Sequence, residues 1–163
     1  MDFSLRTGTP DDIPEVLALI KQLAIYENAP LEVSNTPEQM LIDGFSENPI
    51  FHLIVAETIP KTTQTNQNQP NNEKKIVGMA ITYYRYSTWK GRVLYLEDLY
   101  ILPEYRRFGL GERFFSLLLE KAKQDKCQRV SWQVLEWNEP AINFYKKLGA
   151  TLDPEWVNGF IEI

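Results

Sequence analysis

The chain is poor in the residues that most often build metal centres and covalent cross-links. It has one cysteine, Cys127, and one histidine, His52, among 163 residues. A single cysteine excludes an internal disulfide and fits a reducing cytosol. One histidine and one cysteine do not supply a zinc site of ordinary composition, so no metal is expected and both residues read as structural. No run of about 18 apolar residues occurs, which argues against a membrane-spanning helix. The start, MDFSLRTGTPDD, has none of the basic, apolar and small-residue regions of a secretory signal. Together these absences predict a cytoplasmic protein without a membrane partner. Basic residues are also in deficit, with 17 Lys and Arg against 22 Asp and Glu and a net charge of −5. Such a field disfavours nucleic acid and favours a small cation.

A hydrophobic content of 44% with 24% charged residues is that of a globular protein, and the length suits one domain over residues 1–163. Residues 3–6 read as a first strand. Thr9-Pro10-Asp11-Asp12 is a helix start, followed by an apolar face through Ile13, Val16, Leu17, Ile20 and Leu23. Thr36-Pro37 repeats the start signal for a shorter helix. Residues 51–57 form a strand, and residues 58–75, polar and rich in Asn, Gln and Thr, a hairpin loop. Residues 76–86 and 92–102 pair as an antiparallel hairpin around Trp89-Lys90-Gly91. A helix with Phe115, Leu118, Leu119 and Ala122 on its inner face ends near Lys126. A strand over 129–135, a helix from Asn138 to Leu148-Gly149 and a last strand over 156–163 complete the chain. The order predicts an α/β fold with a mixed, largely antiparallel central sheet flanked by helices.

Two glycines stand where the strand 93–102 gives way to a helix, in Arg106-Arg107-Phe108-Gly109-Leu110-Gly111. Such a junction brings backbone amides close to a phosphate, and the arginines add positive charge. No Lys-Ser or Lys-Thr follows to make a P-loop, and no third glycine makes a dinucleotide fingerprint. A tight turn without a ligand explains the glycines equally well. Glu97-Asp98 interrupts the same apolar strand, and alternation sends the two carboxylates to opposite faces. They mark either an exposed strand edge or a pocket. Tyr145, two turns into the last helix, reads by itself as a core residue.

The arrangement Arg-x-x-Gly-x-Gly after a strand, followed by NEPAINFYKKLGA from Asn138, resembles the GNAT N-acetyltransferases. The resemblance is closer to the spermidine/spermine (diamine) acetyltransferases and their thialysine acetyltransferase relatives. It runs through LIKQLAIYE, DGFSENPIFHLIVAE, YSTWKGRVLYLEDLYILPEYR and EWNEPAINFYKKLGA. Ser87-Thr88-Trp89 is more similar to the thialysine branch. The resemblance implies a single GNAT-fold domain and acetyl-CoA as acetyl donor. Its pyrophosphate is then expected on Arg106, Arg107, Phe108, Gly109, Leu110, Gly111 and Glu112, and its pantetheine arm beside Leu99, Tyr100 and Ile101. Asn138 and Lys147 are implied as further coenzyme contacts.

Acetyl transfer to an amine needs a neutral nucleophile, yet an alkyl amine has a pKa of about 10. Something must take its proton, and something must protonate the departing thiolate. The resemblance gives Glu97 the first task, through a water, and Tyr145 the second. It places Tyr26, Glu27, Glu97 and Asp98 around a small cationic amine, with Trp132 as a further candidate and Gln133 and Glu155 as weaker ones. Ser87, standing where the polyamine enzymes carry an acidic residue, makes a lysine-like amine such as thialysine at least as good a substrate as spermidine. Direct transfer in a ternary complex is expected, because no cysteine is placed as an acyl carrier. A homodimer is implied as well. The rivals are a protein N-terminal or lysine acetyltransferase, which needs an open peptide groove, and a non-catalytic acyl-CoA-binding module.

Overall fold

A computed structural model describes residues 2–59 and 74–161. Five strands, β1 (Phe3–Thr7), β2 (His52–Thr58), β3 (Ile76–Ser87), β4 (Gly91–Ile101) and β5 (Arg129–Ser131), form one sheet in chain order. Pairing is antiparallel from β1 to β4 and parallel between β4 and β5. Four helices accompany them: α1 (Ile13–Tyr26), α2 (Pro37–Phe45), α3 (Leu110–Gln124) and α4 (Glu139–Lys147). The mixed α/β fold expected from the element order is thus present. The segment 60–73 of the expected hairpin loop lies outside the described residues. Its ends are tied, because Thr58 N donates to Lys75 O at 3.0 Å and Lys75 N to Thr58 Oγ1 at 3.1 Å.

The chain separates into two compact units, Met1–Trp132 and Gln133–Ile163. The first is built on β3 and β4, which run as near-continuous apolar segments. Val77, Met79 and Ala80 of β3 and Val93, Leu94 and Leu96 of β4 are buried, as are Ile13 and Val16 of α1 and Phe114 and Leu118 of α3. Burying each large apolar side chain contributes roughly 1.5–3 kcal/mol. The apolar face of α3 comprises Leu110, Phe114, Phe115, Leu118 and Ala122. Leu119 is 47% exposed and does not belong to it, contrary to the sequence reading. Helical period alone does not say where an apolar stripe ends.

The entry to α1 is held by charge. Asp12, at the end of a single 3-10 turn, takes both terminal nitrogens of Arg6 at 2.6 and 2.8 Å and the Thr9 amide at 2.7 Å. Arg6 Nε reaches Glu57 of β2 at 3.1 Å, and Glu57 also accepts from Ser4 and from Lys74 Nζ. The Arg6 guanidinium holds the Asp12 carboxyl down to about 2. That stabilisation is present above the ordinary carboxylate pKa and fades as the pH falls from about 4 to 2.

β3 and β4 pair without interruption except at one place. Thr82 lies opposite Leu96, but Ile81 lies opposite Asp98, so Glu97 is an extra residue in β4. This is a β-bulge. The second unit contains α4, whose first turn is capped by the Asn138 side chain accepting from Ala141 N at 3.3 Å. Gly149 follows with φ 81°, the left-handed C′ geometry that favours glycine. Two strand expectations fail. β5 ends at Ser131 rather than continuing to Leu135, and the described part of 156–163 carries no strand. Trp156, Val157, Phe160 and Ile161 are exposed there, although their pattern reads as β. A strand needs a partner edge as well as propensity.

The Thr82 hydroxyl is fully buried and has no hydrogen-bond partner among the described residues. Replacing a buried unsatisfied donor by an isosteric apolar group is favourable. Thr82→Val should therefore stabilise the protein by about 1 kcal/mol, seen as a rise of roughly 2–4 °C in Tm by calorimetry.

Candidate active site

The sequence-singled residues of the first unit gather along the second half of β4 and the loop that follows. β5 pairs only with Val93, Leu94 and Tyr95. Beyond Tyr95, the β4 edge on that side has no strand partner among the described residues, which leaves the main-chain groups from Leu96 to Ile101 without a ladder there. Leu99, Tyr100 and Ile101 lie on this stretch. The chain then passes through a 3-10 turn, Pro103–Tyr105, into the glycine loop.

Arg106 turns back on the protein. Its Nε donates to Ile101 O at 2.8 Å, and its guanidinium lies 5.3 Å from the Tyr26 ring and 5.4 Å from the Tyr100 ring. It thereby joins the end of α1 to the end of β4. Arg107 has φ 65° and is exposed, and Gly109 has φ 78°. The two left-handed residues swing the chain into α3, which starts at the buried Leu110. Phe108 lies 6.0 Å from Phe3. Gly109 is the N-cap and offers no side-chain cap, so the amides of Leu110, Gly111 and Glu112 lack the internal partners that later turns have. A Cβ at Gly109 would meet nothing within 4 Å, so the approach is open. Bare amides at the positive end of a 15-residue helix suit a phosphate.

The bulge decides the geometry of the acidic pair. Ile81 is two residues from Tyr83 on β3, and Tyr83 lies opposite Tyr95, so these side chains share a face. Asp98 stands opposite Ile81 and therefore joins that face. The extra residue, Glu97, lies near enough to the Tyr83 phenol for its charge to act on it. The simple alternation expected from sequence, with the carboxylates on opposite faces, is thus overturned by one inserted residue. Glu97 is exposed and Asp98 half-buried. Burial, then the charges of Glu97 and Glu27, push the Asp98 carboxyl up to about 6. Burial also raises Glu27, just past the end of α1. Three carboxylates, Glu27, Glu97 and Asp98, thus share one field, and the salt bridges present pair their cations with Asp12, Glu57 and Asp125 instead.

An aromatic layer, not singled out from the sequence, borders them. Tyr83 and Tyr95 lie 5.2 Å apart, and Arg85 sits 4.7 Å over the Tyr95 ring. Burial and the neighbouring Glu97 charge push the Tyr83 phenol up to about 12. The available signal was the spacing of Tyr83 with Arg85 and of Tyr95 with Glu97, each two apart on paired strands. Trp132 packs edge-on against Phe115 of α3, with ring centroids 5.1 Å apart. Ser87 accepts from the Lys90 amide in the β3–β4 turn. The His52 ring lies 5.6 Å edge-on to Tyr84, and burial depresses its pKa, while burial raises that of the Cys127 thiol.

In the second unit, Tyr145 is buried on α4, with its ring 5.4 Å from that of Phe144. Lys147 is exposed in the last turn, and Asn138 spends its side-chain oxygen on the α4 cap. Gln133 hydrogen-bonds Asn158, and Glu155 is exposed.

The model of the acetyltransferase (GNAT) family matches residues 61–150 of the chain. The chain belongs to that family. It is an acetyltransferase, and acetyl-CoA is the donor that the family uses in general. It is 37% identical over 146 residues to the mouse thialysine N-epsilon-acetyltransferase, covering 90% of this chain and 82% of the relative. It is 36% identical over 148 residues to the human spermidine/spermine N(1)-acetyltransferase-like protein 1, covering 91% of this chain and 20% of that longer protein. Among solved structures, a possible acetyltransferase from Clostridium difficile has the same fold. Its TM-score is 0.75 at 19% identity, over 99% of this chain and 98% of the other. In this GNAT chain the unladdered β4 edge and the bare amides of α3 are chemically suited to a pantetheine amide chain and a pyrophosphate.

Asp98 gives the site a testable electrostatic signature. Its carboxyl titrates at about 6 in the fold against an ordinary value of 3.8, so the folded protein holds that proton more tightly. Stability is lost as the pH rises from about 4 to 6, and the loss persists above 6. Asp98→Asn should raise unfolding stability by about 2 kcal/mol at pH 7.5 and by almost nothing near pH 4, measured by urea denaturation at both values.

Proposed function

We propose that this acetyltransferase moves the acetyl group of acetyl-CoA directly to a primary amine of a small cationic metabolite, a lysine-like amine such as thialysine or a diamine or polyamine. The observation that carries the reading is the carboxylate group Glu27, Glu97 and Asp98, with Asp98 pushed up to about 6 by burial and then by the charges of Glu97 and Glu27. An ammonium substrate is the complement of that field. The names of the thialysine and spermidine/spermine relatives support the same class.

Acetyl-CoA, when bound, supplies an activated thioester. The amides of Leu110, Gly111 and Glu112, with Arg107 beside them, hold its pyrophosphate, and the β4 edge at Leu99 to Ile101 holds its amide chain. Asn138 and Lys147 are assigned as further contacts. Arg106 acts from below, fixing the β4 end against Tyr26. Glu27 and Asp98 attract the ammonium, Tyr26 and Trp132 border the amine site, and Glu97 accepts the proton that the amine must lose before attack. Tyr145 donates a proton to the departing sulfur. The acyl group needs no carrier on the protein. A cytoplasmic homodimer of a single-domain chain completes the proposal. The exposure of Val157, Phe160 and Ile161 in the second unit supports a partner surface.

The deciding experiment is a panel of amines offered with acetyl-CoA under thiol detection: thialysine, lysine, spermidine, a diamine and a peptide with a free N-terminus. Turnover confined to small cationic amines is expected. Turnover of the peptide alone, or of no amine, would sink the proposal. Tyr145→Phe should lower kcat by about 100-fold and leave acetyl-CoA affinity nearly unchanged by calorimetry. Near-normal turnover would remove Tyr145 from the reaction.

A further inference from the structure

The glycine loop has to be held, because part of it is disfavoured. Arg107 keeps a φ of 65°, in the left-handed region that is costly for a residue with a Cβ. The amides of Leu110, Gly111 and Glu112 face one point only while that turn persists. One flank is fixed by Arg106, whose Nε donates to Ile101 O at 2.8 Å. The other flank meets the first residue of β1. The buried ring of Phe3 stands 6.1 Å edge-on to Tyr105 and 6.0 Å from Phe108, so it borders the loop just before and just after the two arginines. Phe3 is itself pinned. It lies on an edge strand, and its carbonyl accepts from Arg113 Nη2 of α3 at 3.1 Å, while the neighbouring Asp2 carbonyl accepts from Ile59 N at 2.9 Å. Arg113 N donates to Gly109 O at 3.1 Å, so the residue that grips Phe3 also closes the first turn of α3.

We infer that Phe3 is a positioning residue for the coenzyme: its ring, set between Tyr105 and Phe108, holds the glycine loop in the shape that presents the amides of Leu110, Gly111 and Glu112 to the pyrophosphate. This rests on those amides being the pyrophosphate contacts proposed above. Phe3 itself meets neither coenzyme nor amine and takes no part in the proton transfers. What it supplies is preorganisation. A loop already in its binding shape loses no affinity to being ordered, whereas a loop free to leave the left-handed turn does. Rings suit this task, because edge-on aromatic contacts fix direction as well as distance. An aliphatic side chain in place of Phe3 would fill the core without fixing direction.

The test is a ligand-truncation cycle on the whole chain, using phosphopantetheine, which carries one phosphate of the pyrophosphate pair, and pantetheine, which carries none. Affinities are read by calorimetric competition with CoA. The parent should bind phosphopantetheine about tenfold more tightly than pantetheine. Phe3→Leu keeps apolar bulk and removes the ring. It should weaken CoA and phosphopantetheine about tenfold, change pantetheine by less than about twofold, and raise KM for acetyl-CoA with kcat nearly unchanged. Tyr105→Leu, on the loop side and only half-buried, should act in the same direction, and it decides the matter if Phe3→Leu does not fold. Leu5→Ala weakens β1 away from the loop, and should lower Tm while leaving the preference for the phosphate intact. If the Phe3 and Tyr105 variants keep the parent's preference, or weaken both ligands alike, the positioning role is overturned while the amides keep theirs. Loss of the preference in Leu5→Ala as well would mark a general loosening of β1 and overturn it too. If instead the parent binds the two ligands equally, the pyrophosphate reading fails, and the positioning role falls with it.

Discussion

The pairing of β3 with β4, broken once by the extra residue Glu97, is the constraint on which the candidate site depends. On either side of the break the two strands are long, apolar and in register, so the ladder itself is secure. One inserted residue changes the parity of everything after it. Asp98 comes onto the face of Tyr83 and Tyr95, and Glu97 lies near enough to the Tyr83 phenol for its charge to act on it. Without the insertion, the register of Thr82 with Leu96 would put Asp98 opposite Ala80, on the other face. Burial first, and the charges of Glu97 and Glu27 after it, raise the Asp98 carboxyl to about 6.

The molecule treats its acidic residues in two opposite ways. Asp12 and Glu57 are buried and saturated: Arg6, Ser4, Thr9 and Lys74 occupy their oxygens, and their pKa values fall. They tie β1, β2 and the entry of α1 together. Asp98 and Glu27 are half-buried, and burial raises them instead. The first group stabilises the fold, whereas the second carries charge that its surroundings disfavour. Pairing, rather than burial alone, separates the two groups.

The neighbouring phosphate-suited corner is made of backbone. β5 leaves β4 after three paired residues, and the glycine loop delivers the chain into α3 with two left-handed residues and no side-chain cap. Arg106 commits its side chain, spanning Tyr26, Tyr100 and the Ile101 carbonyl. It links α1, which carries Glu27 at its end, to the strand that carries Glu97 and Asp98. The amine side and the coenzyme side of the proposed reaction are therefore braced by one guanidinium.

Much of this was legible before any coordinates. Thr36-Pro37 with its cap, Gly149 at the end of α4, the β3–β4 hairpin and the loop before α3 all rest on local chemistry. Local chemistry is carried by the residues themselves: proline at a first turn, glycine at positive φ, a side-chain oxygen on a free amide. What the sequence did not carry was anything that depends on a partner. The register slip at Glu97, the retreat of β5 after Ser131, the missing strand at Trp156 and the exposure of Leu119 are decided by which edge or face lies opposite. So is the influence of Glu97 on Tyr83, residues of two strands that meet only when the hairpin closes. Periodicity describes one strand at a time, and a bulge is a property of two.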